Sequence, residues 1–142
     1  MKYEGEIPVQ VDSEQLWNFI VNPEKMASCF PGIKTFTKEG DEYKVVGTAG
    51  IGFIKGEYKA IVKFLDIDTQ KKALNLVAKG NGLNSNVDIS ALIQVLDNPV
   101  RLKYSADVKV GGVIASIGAR LMDSAVGKIV NDLFECVKTK VK

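Results

Sequence analysis

The sequence predicts an α+β fold in which a curved antiparallel sheet of about six or seven strands wraps around one long C-terminal helix. Three observations lead to this expectation. Apolar and polar residues alternate with a period of two through most of the chain. Turn-forming residues interrupt this alternation at intervals typical of an antiparallel meander. One long segment of helical period closes the chain, and two short helical segments follow the first strand.

Composition indicates a single soluble domain over residues 1–142. Apolar residues make up 46% of the chain and charged residues 25%, the balance of an ordinary globular protein. The net charge is +2 and the lysines are spread along the sequence, so no nucleic-acid partner is expected. No apolar run approaches the roughly 20 residues that a membrane-spanning helix needs.

The first residues of the chain lack the apolar core of a signal peptide, and we expect a cytoplasmic protein. Cys29 and Cys136 are therefore expected to be reduced thiols, with a disulfide between them as the less favoured alternative. Cys136 lies among apolar helix residues and is interpreted as buried and inert. A reactive thiol at Cys29 is the minor alternative, because Lys25 is the only basic residue near it.

The absence of histidine restricts the chemistry most strongly. With no histidine in 142 residues, Ser-His-Asp and Cys-His catalysis and all histidine metal sites are excluded. Two distant cysteines cannot form a four-thiolate site, and no acidic cluster has the spacing of a cation site. The sequence therefore predicts neither a metal nor another cofactor.

The N-terminal elements are a strand and two short helices. Lys2 to Val11 alternates weakly as a strand, and Asp12 and Ser13 are candidate caps for the helix that follows. Asn22-Pro23 then caps a second short helix, which ends before the turn pair Pro31-Gly32. The apolar residues of the first helix have helical spacing: Leu16, Phe19 and Ile20.

A meander of strands follows as far as Gly112. In the stretch Ile54 to Phe64 one face is apolar and the other carries charged residues, with Ile61 as the single apolar exception. Turn signals separate the strands at Glu39-Gly40-Asp41, Asp66 to Gln70, Gly80 to Ser85 and Asp97-Asn98-Pro99. A sheet with one dry face needs a cover, and the C-terminal helix is the only long one.

The closing helix is expected to begin directly after Gly111-Gly112. Placing residues at 100° intervals from Ile114 gives one broad inward stripe. Its members are Ile114, Gly118, Leu121, Met122, Ala125, Ile129, Leu133, Cys136 and Val137. These features together indicate the helix-grip architecture.

Small residues are predicted to face each other across the gap between helix and sheet. The first half of the helix stripe is narrow at Gly118 and Ala125, and small sheet residues also point inward: Gly56, Ala60, Ala78, Ala91 and Ala106. Simple packing would alternate large with small residues, so a ligand cavity is favoured over close packing. Tyr58 and Tyr104 are the candidate polar groups of this cavity.

The carboxylates offer little for catalysis. Glu57, Asp88, Asp107 and Asp123 fall on solvated faces. Asp132 lies toward one side of the inward stripe, where an ion pair with Lys128 is favoured over a catalytic role.

Three strings carry a resemblance over nearly the whole chain: Cys29-Phe30-Pro31-Gly32-Ile33, Gly52-Phe53-Ile54-Lys55-Gly56, and the segment from Val110 to Asp123. In this order and spacing the chain resembles the CoxG family of carbon monoxide dehydrogenase subunits, within the SRPBCC superfamily, which is START-like and Bet v 1-like. Phe53 stands where relatives often carry proline. The chain stops soon after the helix, so the long tail that some members use for membrane attachment is not expected.

The resemblance implies a deep apolar cavity and an accessory role beside a molybdenum-containing carbon monoxide dehydrogenase or related hydroxylase. Members of the family are thought to assist membrane recruitment or electron transfer to quinone. The expected ligand is therefore a hydrophobic small molecule such as a quinone or lipid, with peripheral contact at the inner membrane face. The residues expected to bind it are Phe30, Ile54, Tyr58, Leu76, Ala91, Tyr104, Ala106, Ile114, Gly118, Leu121, Met122 and Ala125.

Two alternatives to a non-catalytic carrier remain open at this point. Some superfamily members are cyclases or hydrolases, for which Tyr58, Tyr104 and Asp132 would be the candidate residues here. A pure assembly factor would bind a partner through its outer face and leave the cavity unused.

Overall fold

β1 (Lys2–Pro8), α1 (Ser13–Ile20) and α2 (Pro23–Ala27) open the chain in a computed structural model that describes residues 1–30, 32–51 and 54–142. Asn22 caps α2 as its sequence predicts, because its side chain accepts hydrogen bonds from the N–H groups of Glu24 and Lys25. Pro31 of the predicted turn, and Gly52 and Phe53 of the second quoted string, lie outside the described residues.

Six further strands follow α2 in an antiparallel meander. They are β2 (Ile33–Glu39), β3 (Glu42–Ile51), β4 (Ile54–Asp68), β5 (Ala73–Gly82), β6 (Ser85–Leu96) and β7 (Arg101–Gly112). The order in the sheet is β1-β7-β6-β5-β4-β3-β2, so β1 and β2 form its two edges. The predicted antiparallel sheet of about six or seven strands is confirmed with seven.

The last element is α3 (Ala119–Lys140), which covers the inner face of the sheet. Its C-terminal half packs against α1 and the ends of β5, β6 and β7. Leu74 and Leu102 are each 1% exposed in this cluster, together with buried residues of α1 and α3. The main core therefore lies at one end of the sheet, which we call the closed end.

The predicted start of the closing helix is wrong. A 3₁₀ turn over Val113–Ile117 precedes α3, and Gly118 separates the two with φ +92° and ψ +157°. This backbone conformation is available essentially to glycine alone. The helical phase counted from Ile114 therefore does not continue into α3. The buried stripe of α3 runs through Met122, Phe134 and Val137.

The expectation of two reduced thiols is also wrong. Cys29 and Cys136 form a disulfide with their Cα atoms 5.4 Å apart, well within the range that the bond requires. The physical reason is that the chain following α2 lies against the C-terminal half of α3. Proximity in the fold thus decides the pairing, and it leaves no thiol at Cys29 to react.

Candidate ligand-binding site

The strand register places the small inward residues side by side. Leu76 pairs with Ala91 and Ala91 with Ala106, so three predicted site residues form one row across β5, β6 and β7. The next rows toward the other end of the sheet bring Ala78 beside Ile89, and Ala60 beside Gly80. Gly80 is a lining residue that was not predicted from the sequence. The middle of the inner face is therefore shallow.

This shallow region is incompletely covered. Ala60, Ala78, Ala91 and Ala106 are only half-buried although α3 lies over the same face of the sheet. A Cβ atom placed on Gly80 would meet only two atoms of β4 within 4 Å, and none of α3. Protein interiors are normally packed without such gaps. The inner face thus holds an apolar space next to the closed end.

Tyr58 stands at the far side of this space, where β4 approaches the hairpin between β5 and β6. Its ring lies across Gly47 of β3, where a Cβ would be 2.7 Å from the hydroxyl oxygen. The hydroxyl is buried and has no hydrogen-bond partner among the described residues. Burial raises the pKa of this phenol above its usual value. Phe30 packs on it, with ring centroids 6.4 Å apart.

Tyr104, the other predicted polar group, lies elsewhere. Its ring stacks on Phe134 with centroids 5.6 Å apart and covers Gly5 of β1. Through the ladders Tyr104 aligns with Leu74 on β5, whereas Tyr58 aligns with Gly82. The two tyrosines therefore occupy opposite ends of the sheet and cannot act on one small molecule together.

The residues before and after the helix break contribute unequally to the site. Ile114 and Met122 are buried, and Ala125 is half-buried. Gly118 is exposed, and a Cβ placed on it would meet nothing within 4 Å, while Leu121 is 44% exposed. Leu121 precedes Met122 by about 100° around the helix, which turns it away from the buried stripe. Ile54 is half-buried near the tip of the β3–β4 hairpin.

Exposed apolar side chains surround the end of the sheet that carries Tyr58, which we call the open end. Phe30 is 41% and Val113 is 42% exposed, and Leu121 joins them on the first turn of α3. The 3₁₀ turn is fixed here by the β5–β6 hairpin, since Ile114 N–H donates to Ser85 Oγ at 2.9 Å. This end provides an apolar rim around the inner space.

α3 is attached to the rest of the chain unequally along its length. At its C-terminal end the disulfide joins it to Cys29, and Gln15 Nε2 donates to the Val141 carbonyl at 2.6 Å. At its N-terminal end the Tyr3 hydroxyl donates to Asp123 Oδ1 at 3.0 Å, an exposed contact. The open end of α3 is therefore held much more weakly than the closed end.

The carboxylates do not converge on the inner space. Asp132 accepts a hydrogen bond from Lys128 Nζ at 2.7 Å, as the sequence predicts. Glu57, Asp88, Asp107 and Asp123 are exposed. Within residues 1–30, 32–51 and 54–142, no group of three or more acidic or cysteine side chains is placed to hold a metal ion. No described helix is long and apolar enough to span a membrane.

A second concavity, which was not predicted from the sequence, lies between β1 and α3. This groove has a volume of about 630 Å³. Its apolar floor comes from both elements and from β7: Tyr3, Ile7, Tyr104, Val126, Val130 and Phe134. The glycine Gly127, in the middle of an otherwise regular helix, was the available signal, because glycine there costs about 1 kcal/mol relative to alanine.

Comparison with solved structures gives the class of fold. The chain is similar to a conserved protein from Geobacillus kaustophilus, with a TM-score of 0.92 and 26% identity over 99% of this chain and 95% of that one. It is also similar to a START superfamily protein from Mycobacterium smegmatis, with a TM-score of 0.74 and 11% identity over 99% and 96%. An aromatase/cyclase from Streptomyces sp. R1128 aligns with a TM-score of 0.69 and 10% identity over 99% and 93%. The fold is the helix-grip fold of START and Bet v 1-like proteins.

The sequence comparison gives the family. Residues 5–142 match the CoxG family of carbon monoxide dehydrogenase subunits. The chain belongs to this family, which confirms the resemblance carried by the three quoted strings. No curated protein sequence matches it significantly.

Proposed function

We propose that this chain is a non-catalytic accessory protein that binds a hydrophobic small molecule, a quinone or lipid, between the sheet and α3. The half-buried small residues beneath α3 carry this proposal, because they leave apolar space where a core would normally be filled. The binding residues are those expected from the sequence, with Gly80 added.

The Tyr58 hydroxyl is the proposed polar contact of the ligand. A buried hydroxyl without a partner is unfavourable in the free protein. A ligand carbonyl or hydroxyl that reaches Tyr58 removes this cost, so the site favours a molecule with an apolar body and an oxygen at one end. Quinones have this chemistry.

The weakly attached end of α3 is the proposed entrance. The disulfide and the Gln15 contact hold the closed end, while the contact between Tyr3 and Asp123 is the only side-chain hydrogen bond from the first turn of α3 in the described residues. Small movements of this turn would admit a ligand without disturbing the main core. Phe30, Val113 and Leu121 would then face a membrane surface from which the ligand is taken.

We further propose that the chain serves a molybdenum-containing carbon monoxide dehydrogenase or related hydroxylase, in membrane recruitment or electron transfer. Family membership supports this role. Catalysis by the chain itself is disfavoured by geometry, because Tyr58 and Tyr104 lie at opposite ends of the sheet and Asp132 is bound by Lys128. The catalytic alternative therefore has no converging set of groups.

Ligand extraction and a matched pair of variants test the binding proposal. Solvent extracts of the purified protein are analysed by mass spectrometry, and a short-tailed ubiquinone and menadione are then titrated into the ligand-free protein. Ala91→Trp fills the inner space, whereas Ser90→Trp adds the same ring to the outer face of β6. We expect binding at micromolar concentration that Ala91→Trp abolishes and Ser90→Trp retains. No binding of either quinone and no extracted lipid would overturn the proposal.

A further inference from the structure

β1 presents a free backbone edge. Val108 N–H donates to the Met1 carbonyl at 2.7 Å and Val9 N–H to the Val100 carbonyl at 3.2 Å. Because hydrogen bonding alternates along an antiparallel strand, the odd-numbered residues of β1 bond to β7. Lys2, Glu4 and Glu6 therefore direct their backbone groups away from the sheet. In the described part of the chain no other strand pairs with this edge.

The groove between β1 and α3 lies directly beside this free edge. A strand added to β1 would alternate its side chains between the outer face of the sheet and the groove. Val126, Val130 and Phe134 recur at helical spacing along the groove wall. Gly127 leaves open space between them, since a Cβ there would meet nothing within 4 Å. The groove thus offers apolar surface to every second residue of an added strand.

Charge indicates what the other residues of an added strand would be. Six charged residues line the groove, and four of them are acidic: Lys2, Glu4, Glu6, Asp123, Glu135 and Lys138. Lys138 is already paired with Glu135. Glu4 has no ion-pair partner among the described residues and points to the outer face. Opposite charges on neighbouring strands stabilise their pairing, so basic residues fit the outward positions.

We propose that β1 and α3 form a docking groove for an extended segment of a partner protein, which adds to the sheet as an eighth strand. The segment has apolar side chains at alternate positions, which enter the groove, and lysine or arginine between them. Main-chain hydrogen bonds to Lys2, Glu4 and Glu6 supply affinity, and the groove supplies specificity, as in other strand-addition complexes. This surface is separate from the proposed ligand space beneath α3.

A capped hexapeptide in which valine and lysine alternate is the probe. It is titrated into the full chain while the backbone amide signals are followed by NMR. We expect saturable shifts at Lys2, Glu4 and Glu6 and along the groove face of α3. An isomer with three valines followed by three lysines has the same composition and charge, and we expect it to bind at least about tenfold more weakly.

N-methylation separates strand addition from simple apolar adsorption. Methyl groups on one set of alternate backbone nitrogens block the bonds to β1, whereas methyl groups on the other set leave them intact. We expect only one of the two methylated peptides to bind. Equal binding of the two, equal binding of the block isomer, or no shift at millimolar peptide would overturn the proposal.

Two leucine variants of α3 locate the groove. Gly127→Leu fills the open space and should weaken binding by about tenfold or more, while Ser124→Leu, outside the groove, should change it less than about twofold. Thermal unfolding of both variants verifies that they fold. A concentration-dependent dimer of the free chain that protects the amides of Glu4 and Glu6 would assign the edge to a second copy and overturn the peptide proposal.

Discussion

Tyr58 and Tyr104 both lie with their rings across a glycine of the neighbouring strand, yet their surroundings differ. Tyr104 stacks on Phe134 and belongs to the closed end. The Tyr58 hydroxyl is buried at the open end and has no partner among the described residues. A residue kept in an unfavourable state in the free protein is expected where a ligand later provides the missing contact.

Replacing Tyr58 with phenylalanine should therefore stabilise the free protein and weaken ligand binding. Removal of the unpaired hydroxyl is expected to raise the free energy of unfolding by about 1 kcal/mol. Urea unfolding measures this gain, and quinone titration measures the loss of affinity. Tyr104→Phe is the matched control and should leave quinone affinity unchanged. Loss of stability in Tyr58→Phe would show that the hydroxyl has a partner in solution.

The raised pKa of Tyr58 also predicts a pH dependence. The native state holds the phenol proton more tightly than the unfolded state, in which the pKa is about 10. The native stability is therefore fully present below that value and falls as the pH rises toward the higher pKa of the folded state. Urea unfolding at increasing alkaline pH should show a steeper loss in the wild type than in Tyr58→Phe. Parallel curves would contradict this assignment.

At the scale of the element, the break before α3 depends on one backbone conformation. Gly118 and Gly127 both have open space around a Cβ, so substitution at either meets no steric obstacle. Of the two, only Gly118 has a positive φ, of +92°. Gly118→Ala should lower the free energy of unfolding by about 1–3 kcal/mol. Gly127→Ala should raise it by about 1 kcal/mol. Chemical denaturation of the pair measures the difference, and equal effects would mean that α3 continues through Gly118.

The disulfide makes a second prediction at this scale. It closes a loop with a sequence separation of 107 residues, and loss of such a bond typically costs about 2–5 kcal/mol. We expect Cys136→Ser to show this loss in urea unfolding. A reducing agent should lower the wild-type stability to the same level and leave Cys136→Ser unaffected. Unchanged wild-type stability under reduction would mean that the bond does not form in solution.

These two elements also show where sequence reasoning succeeds and fails. Alternation with a period of two and the turn residues were enough to predict the sheet, because one buried face fixes the register. The helix break was not predictable from periodicity, since apolar spacing is compatible with helix on both sides of Gly118. Phe134 was missed for the same reason. The pairing of Cys29 with Cys136 depends on packing between α3 and the chain after α2, which no local pattern contains.

At the scale of the whole molecule, the fold divides into a closed end that provides stability and an open end that is free to bind. The main core, the disulfide and the Gln15 contact are all at the closed end. The small-residue rows and Tyr58 lie toward the other end. Substitutions that fill the inner space can therefore be made without removing the interactions that hold the fold together.

This division predicts how a carrier and a pure assembly factor would differ. A carrier whose inner space is filled keeps its surface, so Ala125→Trp should retain a partner in pulldowns from the native organism but fail to restore function in a strain that lacks the gene. An assembly factor with an unused cavity should restore function fully with the same substitution. Ser124→Trp, on the neighbouring exposed position of α3, is the control for the added ring. Restoration by Ala125→Trp at wild-type level, with the ring shown by ligand titration to block binding, would show that the cavity is not needed for the role of this chain.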